Sequence, residues 1–215
     1  LRFRFKVFLY AAIGAIGAYW FYFKLGISSV FVPLLQNIDL SWAFLIFFVL
    51  AIVWTSFSVN QTDGLDGLAG GVLLINFLVM AIISYFSGRP NLAAMISVVS
   101  GALLAFLWFN VYPARFFMGD TGSMGLGILL AIVAFLNNAV YILPICGIIF
   151  MIEGASIFIQ MAYKKLFGKK LFLSSPIHHH FEAYGWPETK VTMRFWIITA
   201  VFSLFSVVVF FTFKP

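Results

Sequence analysis

Charge is what this sequence has least of. Only 9% of its 215 residues are Asp, Glu, Lys or Arg, while 63% are hydrophobic, giving a mean hydropathy of +1.07. Soluble domains carry about a quarter charged residues, enough to cover a globular surface. This chain has too few, so a bilayer is the expected solvent. Cysteine is nearly absent as well: Cys146 stands alone inside an apolar run. That excludes an intrachain disulfide framework and makes the thiol a packing residue. No small-residue cleavage site follows the apolar run after Arg2, Arg4 and Lys6, so no cleavable signal peptide is expected. No initiator Met opens the chain, and residues upstream of it are expected. There is no internal repeat, no low-complexity tract and no soluble domain. The net charge of +6 does not call for nucleic acid, because basic loops in membrane proteins record orientation.

What is present is a series of apolar runs at about 7–23, 42–59, 68–86, 93–109, 122–136, 139–163 and 194–213. Most fit the roughly 17 to 25 residues that cross the hydrocarbon as helix; 122–136 is short. Asn137–Asn138 predicts a tight turn, and Pro144 predicts a kink in the span that follows. The expected fold is an all-α, polytopic transmembrane helical bundle of about seven spans, one integral-membrane domain over residues 1–215. With the N-terminus in the cytoplasm, Arg2, Arg4, Lys6, Arg115, Lys164, Lys165, Lys169, Lys170, Lys190 and Arg194 fall on the cytoplasmic side. Only Lys24, Arg89 and Lys214 fall outside, as the positive-inside rule requires. The same alternation collects Asp63, Asp66, Asp120, Glu182, Glu188 and all three histidines in cytoplasmic loops at about 60–67, 110–121 and 164–193. Basic loops explain orientation. A shared active site explains why acids and histidines gather on the same face.

Three stretches carry chemistry. Asn60–Gly71, N-Q-T-D-G-L-D-G-L-A-G-G, sets Asp63 and Asp66 three residues apart among glycines that let a backbone approach a ligand. It reads as a magnesium and phosphate site, since magnesium takes one or two carboxylates together with substrate phosphates. The plainer reading makes Asp66 a cap for the helix that starts near Gly67. In Asn110–Gly127, Pro113 ends one helix and Asp120–Thr121 opens the next, whose N-terminal N–H groups suit phosphate oxygens. There Asp120 is placed to hold the metal and Phe117 to stack on a base, or Asp120 is a helix cap and the glycines are packing residues. Ser174–Glu188 contains His178, His179 and His180. Zinc is disfavoured because adjacent histidines rarely share an ion and no cysteine is near. Contact with a pyrophosphate fits better, a solvated loop being the alternative. Within a span, Glu153 and Gln160 lie seven residues apart on one helical face. Intramembrane ionisable groups are functional candidates by default; Gln160 is near enough to the cytoplasmic end to reach a nucleotide, whereas Glu153 is deeper and equally suited to a protonated, structural role.

T-D-G-L-D-G-L-A at Thr62–Ala69 and F-M-G-D-T-G-S at Phe117–Ser123 resemble the signatures of the polyprenyl-phosphate phosphoglycosyl transferases. P-I-H-H-H-F-E at Pro176–Glu182, with G-W-P-E after it and R-F-W at Arg194–Trp196, resembles the phospho-N-acetylmuramoyl-pentapeptide transferase branch. Relatives that use N-acetylglucosamine phosphate carry a different His/Arg pattern in that loop. The resemblance covers the later part of a roughly ten-span enzyme. The adjacent Asp-Asp pair of an earlier loop in that family is absent from this chain, and Phe57 and Gln61 stand where the family often has Asn and Leu.

The resemblance implies a bacterial enzyme of the cytoplasmic membrane, multi-pass, with its active site on the cytoplasmic face. It would transfer phospho-N-acetylmuramoyl-pentapeptide from its UDP donor to undecaprenyl phosphate, releasing UMP and forming lipid I for peptidoglycan. It implies Mg2+ as cofactor and a homodimer in the bilayer, with no nucleic acid partner. Asp120 matches the metal-binding Asp, and Asp63 and Asp66 match the pair near nucleotide and metal, so Asp63, Asp66 and Asp120 are the catalytic candidates and Asp120 and Asp63 the metal candidates. Asn60, Asn110, Phe117, Gly119, Ser123, Gln160, His178, His179 and His180 match or neighbour substrate-contact positions. The alternatives are a UDP-N-acetylglucosamine polyprenyl-phosphate phosphotransferase, an inactive fragment, and a membrane scaffold or a transporter built around Glu153.

Overall fold

A chain this apolar must satisfy its backbone internally, and long helices do so. The computed structural model describes residues 3–213, with side chains from Phe5 onward. Arg2, Lys214 and the side chain of Arg4, used above for orientation, lie outside the described residues. Helix α1 (Phe3–Tyr19) runs into a π-turn at Trp20–Lys24, and an antiparallel hairpin of β1 (Ser29–Val32) and β2 (Gln36–Asp39) follows. Then come α2 (Ala43–Thr62), α3 (Leu68–Phe86), α4 (Pro90–Asn110) and α5 (Gly119–Leu136). A single 3-10 turn at Val140–Ile142 leads into the short α6 (Leu143–Cys146), followed by α7 (Ile148–Phe167), α8 (Ile177–Ala183) and α9 (Glu188–Thr212).

Among the described residues six helices are long and apolar enough to cross a membrane, and α6 with α7 makes a seventh if the bent pair is one span. The protein is a multi-pass membrane protein, all-α apart from the hairpin. Helix α3 is its axis: 67% of its most apolar window is buried, against 28% for α4 and for α9. Several polar residues inside the spans bond backward to their own helix, as Ser84 Oγ does to the Met80 carbonyl and Thr199 Oγ1 to that of Phe195, so these cost little in hydrocarbon. Phe48 and Phe135 meet at 4.4 Å in an aromatic cluster that joins α2 to α5 and takes in Phe21 and Phe44. Cys146 is a free thiol, fully buried as expected.

Three expectations change. The hairpin was not foreseen; it is tied to the far end of the bundle by Asn138, whose Oδ1 accepts the Phe31 N–H at 3.1 Å and whose Nδ2 donates to Asn37 Oδ1. The run 139–163 does not form one helix kinked at Pro144. Pro144 sits in the first turn of α6, where its missing N–H costs nothing. The 80° break falls after it, at Gly147, whose N–H closes α6 on the Leu143 carbonyl. Finally, the 164–193 stretch is not all loop: the histidines form α8, and α9 begins at Glu188 rather than Arg194.

The connections 63–67, 111–118 and 168–187 gather at one end of the bundle, and the hairpin and the Asn137–Asn138 turn at the other. The turn is closed by the Asn137 and Asn138 N–H groups on the Val133 and Phe135 carbonyls.

Candidate functional site

The glycine-rich turn after α2 is short, so Asp63 stays beside the last turn of that helix and reaches the start of α5. Its carboxyl accepts the N–H of Gly119, one of the N-terminal donors with no intrahelical partner. Burial and the charge of Asp120 push the Asp63 carboxyl up to about 6, although the Gly119 bond pulls the other way. Asp120, in the first turn of α5, is held by a second set of contacts. Lys6 Nζ lies 2.6 Å from its Oδ1, and Asn60 Nδ2 donates to the same oxygen at 3.0 Å. Asn60 also donates to Ser123 Oγ at 2.9 Å and accepts from Lys6 at 3.2 Å. Two carboxyls from separate stretches therefore meet at one helix N-terminus with an ammonium against them.

Asp66 faces elsewhere. It does not cap its own helix; Gly67 occupies that position with no side-chain bond. The Asp66 Oδ2 accepts the Ala114 N–H at 2.9 Å, and its backbone N–H donates to Glu188. Asn110 completes the tie between the two stretches, accepting the Gly67 N–H and donating to the Phe116 carbonyl. A cavity of about 220 Å³ opens beside Asp66, between Tyr112 and Trp196. The glycines here admit the chain's own side chains: an added Cβ on Gly71 would lie 2.1 Å from the Trp196 ring, and the Trp196 Nε1–H donates to the Gly67 carbonyl.

Phe117 is 71% exposed and stands at the rim of an apolar groove of about 610 Å³ between α4 and α5, which Val98, Ala102 and Leu126 help to line. Gly119 has a φ of +68° and open space where a Cβ would be. Asn60 and Ser123, expected at substrate, spend their described hydrogen bonds around Asp120, and Asn110 spends its own on the tie beside Asp66. Gln160 instead holds the 171–172 backbone: its Oε1 accepts the Leu171 and Phe172 N–H groups and its Nε2 donates to the Phe172 carbonyl.

The histidines divide. His178 is turned inward, fully buried on Glu153 at 3.0 Å. His179 pairs with Glu182 at 2.6 Å, and His180 Nδ1 accepts the Leu173 N–H. No group of three or more His, Cys, Asp or Glu placed to hold a metal occurs among the described residues.

Lys6, Glu188 and Trp196 contribute as well, although the sequence reading did not name them as site residues. Nothing in the local sequence pattern marks Lys6, whose partner lies 114 residues away.

Residues 1–138 match the family model described as glycosyl transferase family 4. Proteins named phospho-N-acetylmuramoyl-pentapeptide-transferase from Methylacidiphilum infernorum, Bartonella quintana and Clostridioides difficile are 42%, 45% and 43% identical to the chain. The alignments take in 82%, 84% and 88% of this chain but 52%, 56% and 55% of those relatives. The chain thus spans about half the length of the curated relatives it matches. On the model that matches residues 1–138, the chain belongs to glycosyl transferase family 4.

Proposed function

We propose that this chain carries the active site of an enzyme that transfers phospho-N-acetylmuramoyl-pentapeptide from UDP to undecaprenyl phosphate, releasing UMP and forming lipid I. The observation that carries the reading is the convergence of Asp63 and Asp120 on the N-terminus of α5, with Lys6 against Asp120. An N-terminus and a lysine suit phosphate oxygens, and two carboxyls suit a divalent cation. The names of the relatives supply the donor class, and the adjacent apolar groove offers a lipid chain a path along the helices.

In the reaction an oxygen of the acceptor phosphate bonds to the phosphorus that carries the sugar. The bond from that phosphorus to the bridging oxygen breaks, and its electron pair leaves with UMP. An ionised acceptor phosphate needs no base. Asp120 and Asp63 fit magnesium by type and number, since the ion takes one or two carboxylates and completes its shell with phosphate and water oxygens. The Lys6 ammonium at 2.6 Å shows that the Asp120 carboxylate already draws a cation. When bound, magnesium would offset the repulsion between the anionic reactants. Lys6 and the α5 N–H groups would orient the phosphates, Phe117 would face the base, and Asn60 would keep Asp120 aimed at them. The proposed setting is the cytoplasmic face of a bacterial inner membrane, as a homodimer.

The test is magnesium-dependent UMP release in membranes, from the chain alone and from the chain preceded by the upstream half of a curated relative. UDP-N-acetylglucosamine and empty-vector membranes are the controls. Muramoyl-specific release that Asp120→Asn abolishes supports the reading; equal release from the glucosamine donor, or full turnover by Asp120→Asn, refutes it. Glu153, the motive for a transporter, is taken by His178 at the site's own end of the bundle.

A further inference from the structure

Glu153 and His178 have no part in that chemistry, yet among the described residues they are the most enclosed ion pair. Both side chains are essentially without exposure, and Nδ1 stands 3.0 Å from Oε2. With Glu153 as a carboxylate, which has only lone pairs to offer, the Nδ1–H is the donor. Burying such a pair is costly unless the geometry is good, and the remaining atoms, Glu153 Oε1 and His178 Nε2, find no partner. The pair is therefore poorly explained as a source of stability alone.

Its surroundings point to placement. A Cβ built on Gly64 would lie 2.4 Å from His178 Nε2 and 3.0 Å from Cε1, so the imidazole edge presses on the turn that carries Asp63. On the other side, a Cβ on Gly154 would lie 2.3 Å from Ser58 Oγ, so the turn of α7 bearing Glu153 sits directly on α2. Ser58 is about one helical turn before the end of that helix. Asp63 thus hangs between the α5 N-terminus, through Gly119, and a brace running from α2 through Glu153 and His178 to Gly64.

We propose that Glu153 and His178 are positioning residues for Asp63: Glu153 fixes the His178 ring, and the ring holds the Gly64 backbone so that the Asp63 carboxyl stays on the α5 N-terminus beside Asp120. The proposal rests on the active-site reading above. It assigns no contact with substrate to either residue, and it requires a hydrogen-bond acceptor at 153, not a charge.

Two measurements test it. The geometry is read without turnover, from the melting temperature in detergent. Gly64→Ala lowers it when His178 is present and has little effect in His178→Ala, where the blocking edge is gone; additive effects overturn the brace. The function is read from UMP release. Glu153→Gln, whose amide oxygen still accepts the Nδ1–H, keeps turnover within about threefold of wild type, while Glu153→Ala lowers kcat at least tenfold with KM within about twofold. Both rates are normalised to the folded fraction, so loss of folded protein does not produce the difference between Glu153→Gln and Glu153→Ala. Wild-type kcat in Glu153→Ala, or Glu153→Gln as damaged as Glu153→Ala, overturns the proposal. A wild-type protein that releases no UMP in either form refutes the proposed function and this role with it, while the melting cycle still reports whether the brace exists.

Discussion

Lys6 Nζ lies 2.6 Å from Asp120 Oδ1 across 114 residues of sequence, which ties the first helix to the first turn of α5. The ammonium is only partly exposed, and Asn60 bonds to both partners, so the contact is part of a network rather than a lone surface ion pair. Removal of one preorganised cation from a site that handles phosphates costs about 100-fold in turnover. Lys6→Met is expected to lower kcat for UMP release by about that factor. Lys6→Arg should recover only part of it, because a planar fork does not replace a point charge. Unchanged turnover in Lys6→Met would make Lys6 an orientation residue and nothing more.

Asp63 gives the pH dependence its direction. Its folded value of about 6 exceeds the ordinary 3.8, chiefly through burial and then through the charge of Asp120. The folded protein therefore holds this proton more tightly than the unfolded chain, and stability falls as pH rises from about 4 to about 6. Asp63→Asn is expected to melt like wild type near pH 4 and above it at pH 7, in magnesium-free detergent. Asp120→Asn removes one cause, so the Asp63 titration should move to lower pH when followed by infrared difference against Asp63→Asn. A titration that stays in place would show that burial alone sets it.

Gly71 tests the seat of α9 on α3. With a Cβ there facing the Trp196 ring at 2.1 Å, the indole must shift and its bond to the Gly67 carbonyl must break or stretch. Overpacking of this kind costs about 1–3 kcal/mol. Gly71→Ala is expected to lower the melting temperature and, because Gly67 follows Asp66, to disturb the Asp66 turn. Restored stability in Gly71→Ala/Trp196→Ala would assign the cost to the ring, and no loss in Gly71→Ala would refute the close approach.

The spans and their alternation were legible because a hydrocarbon solvent leaves few options: apolar runs of sufficient length become helices, and polar runs become their ends. The Asp63 and Asp120 stretches stood out for the same reason, as carboxylates and glycines beside apolar runs. What was not legible depends on partners far apart in the chain. The hairpin at 29–39 is only four residues per strand and is fixed by Asn138 from the opposite half. His178 looks like its two neighbours, yet one helical register turns it onto Glu153. The break at Gly147 rather than Pro144 follows because Pro144 already sits where proline is accommodated, at the start of a short helix.

Gln160 separates two roles that the sequence could not. As a nucleotide contact it would raise KM on substitution and leave the apoprotein as it was. In the structure its side chain staples the 171–173 segment, with Oε1 accepting at 3.0 and 2.9 Å and Nε2 donating at 3.0 Å. Leu173 in turn donates to His180, so the staple sets the approach to the histidine helix. Gln160→Ala is therefore expected to speed amide exchange at Leu171 and Phe172 without any substrate present. Gln160→Glu keeps both acceptor bonds and should protect those amides nearly as well as wild type while losing the bond to the Phe172 carbonyl. Unchanged exchange in Gln160→Ala, together with a raised KM, would move Gln160 from the framework to the substrate.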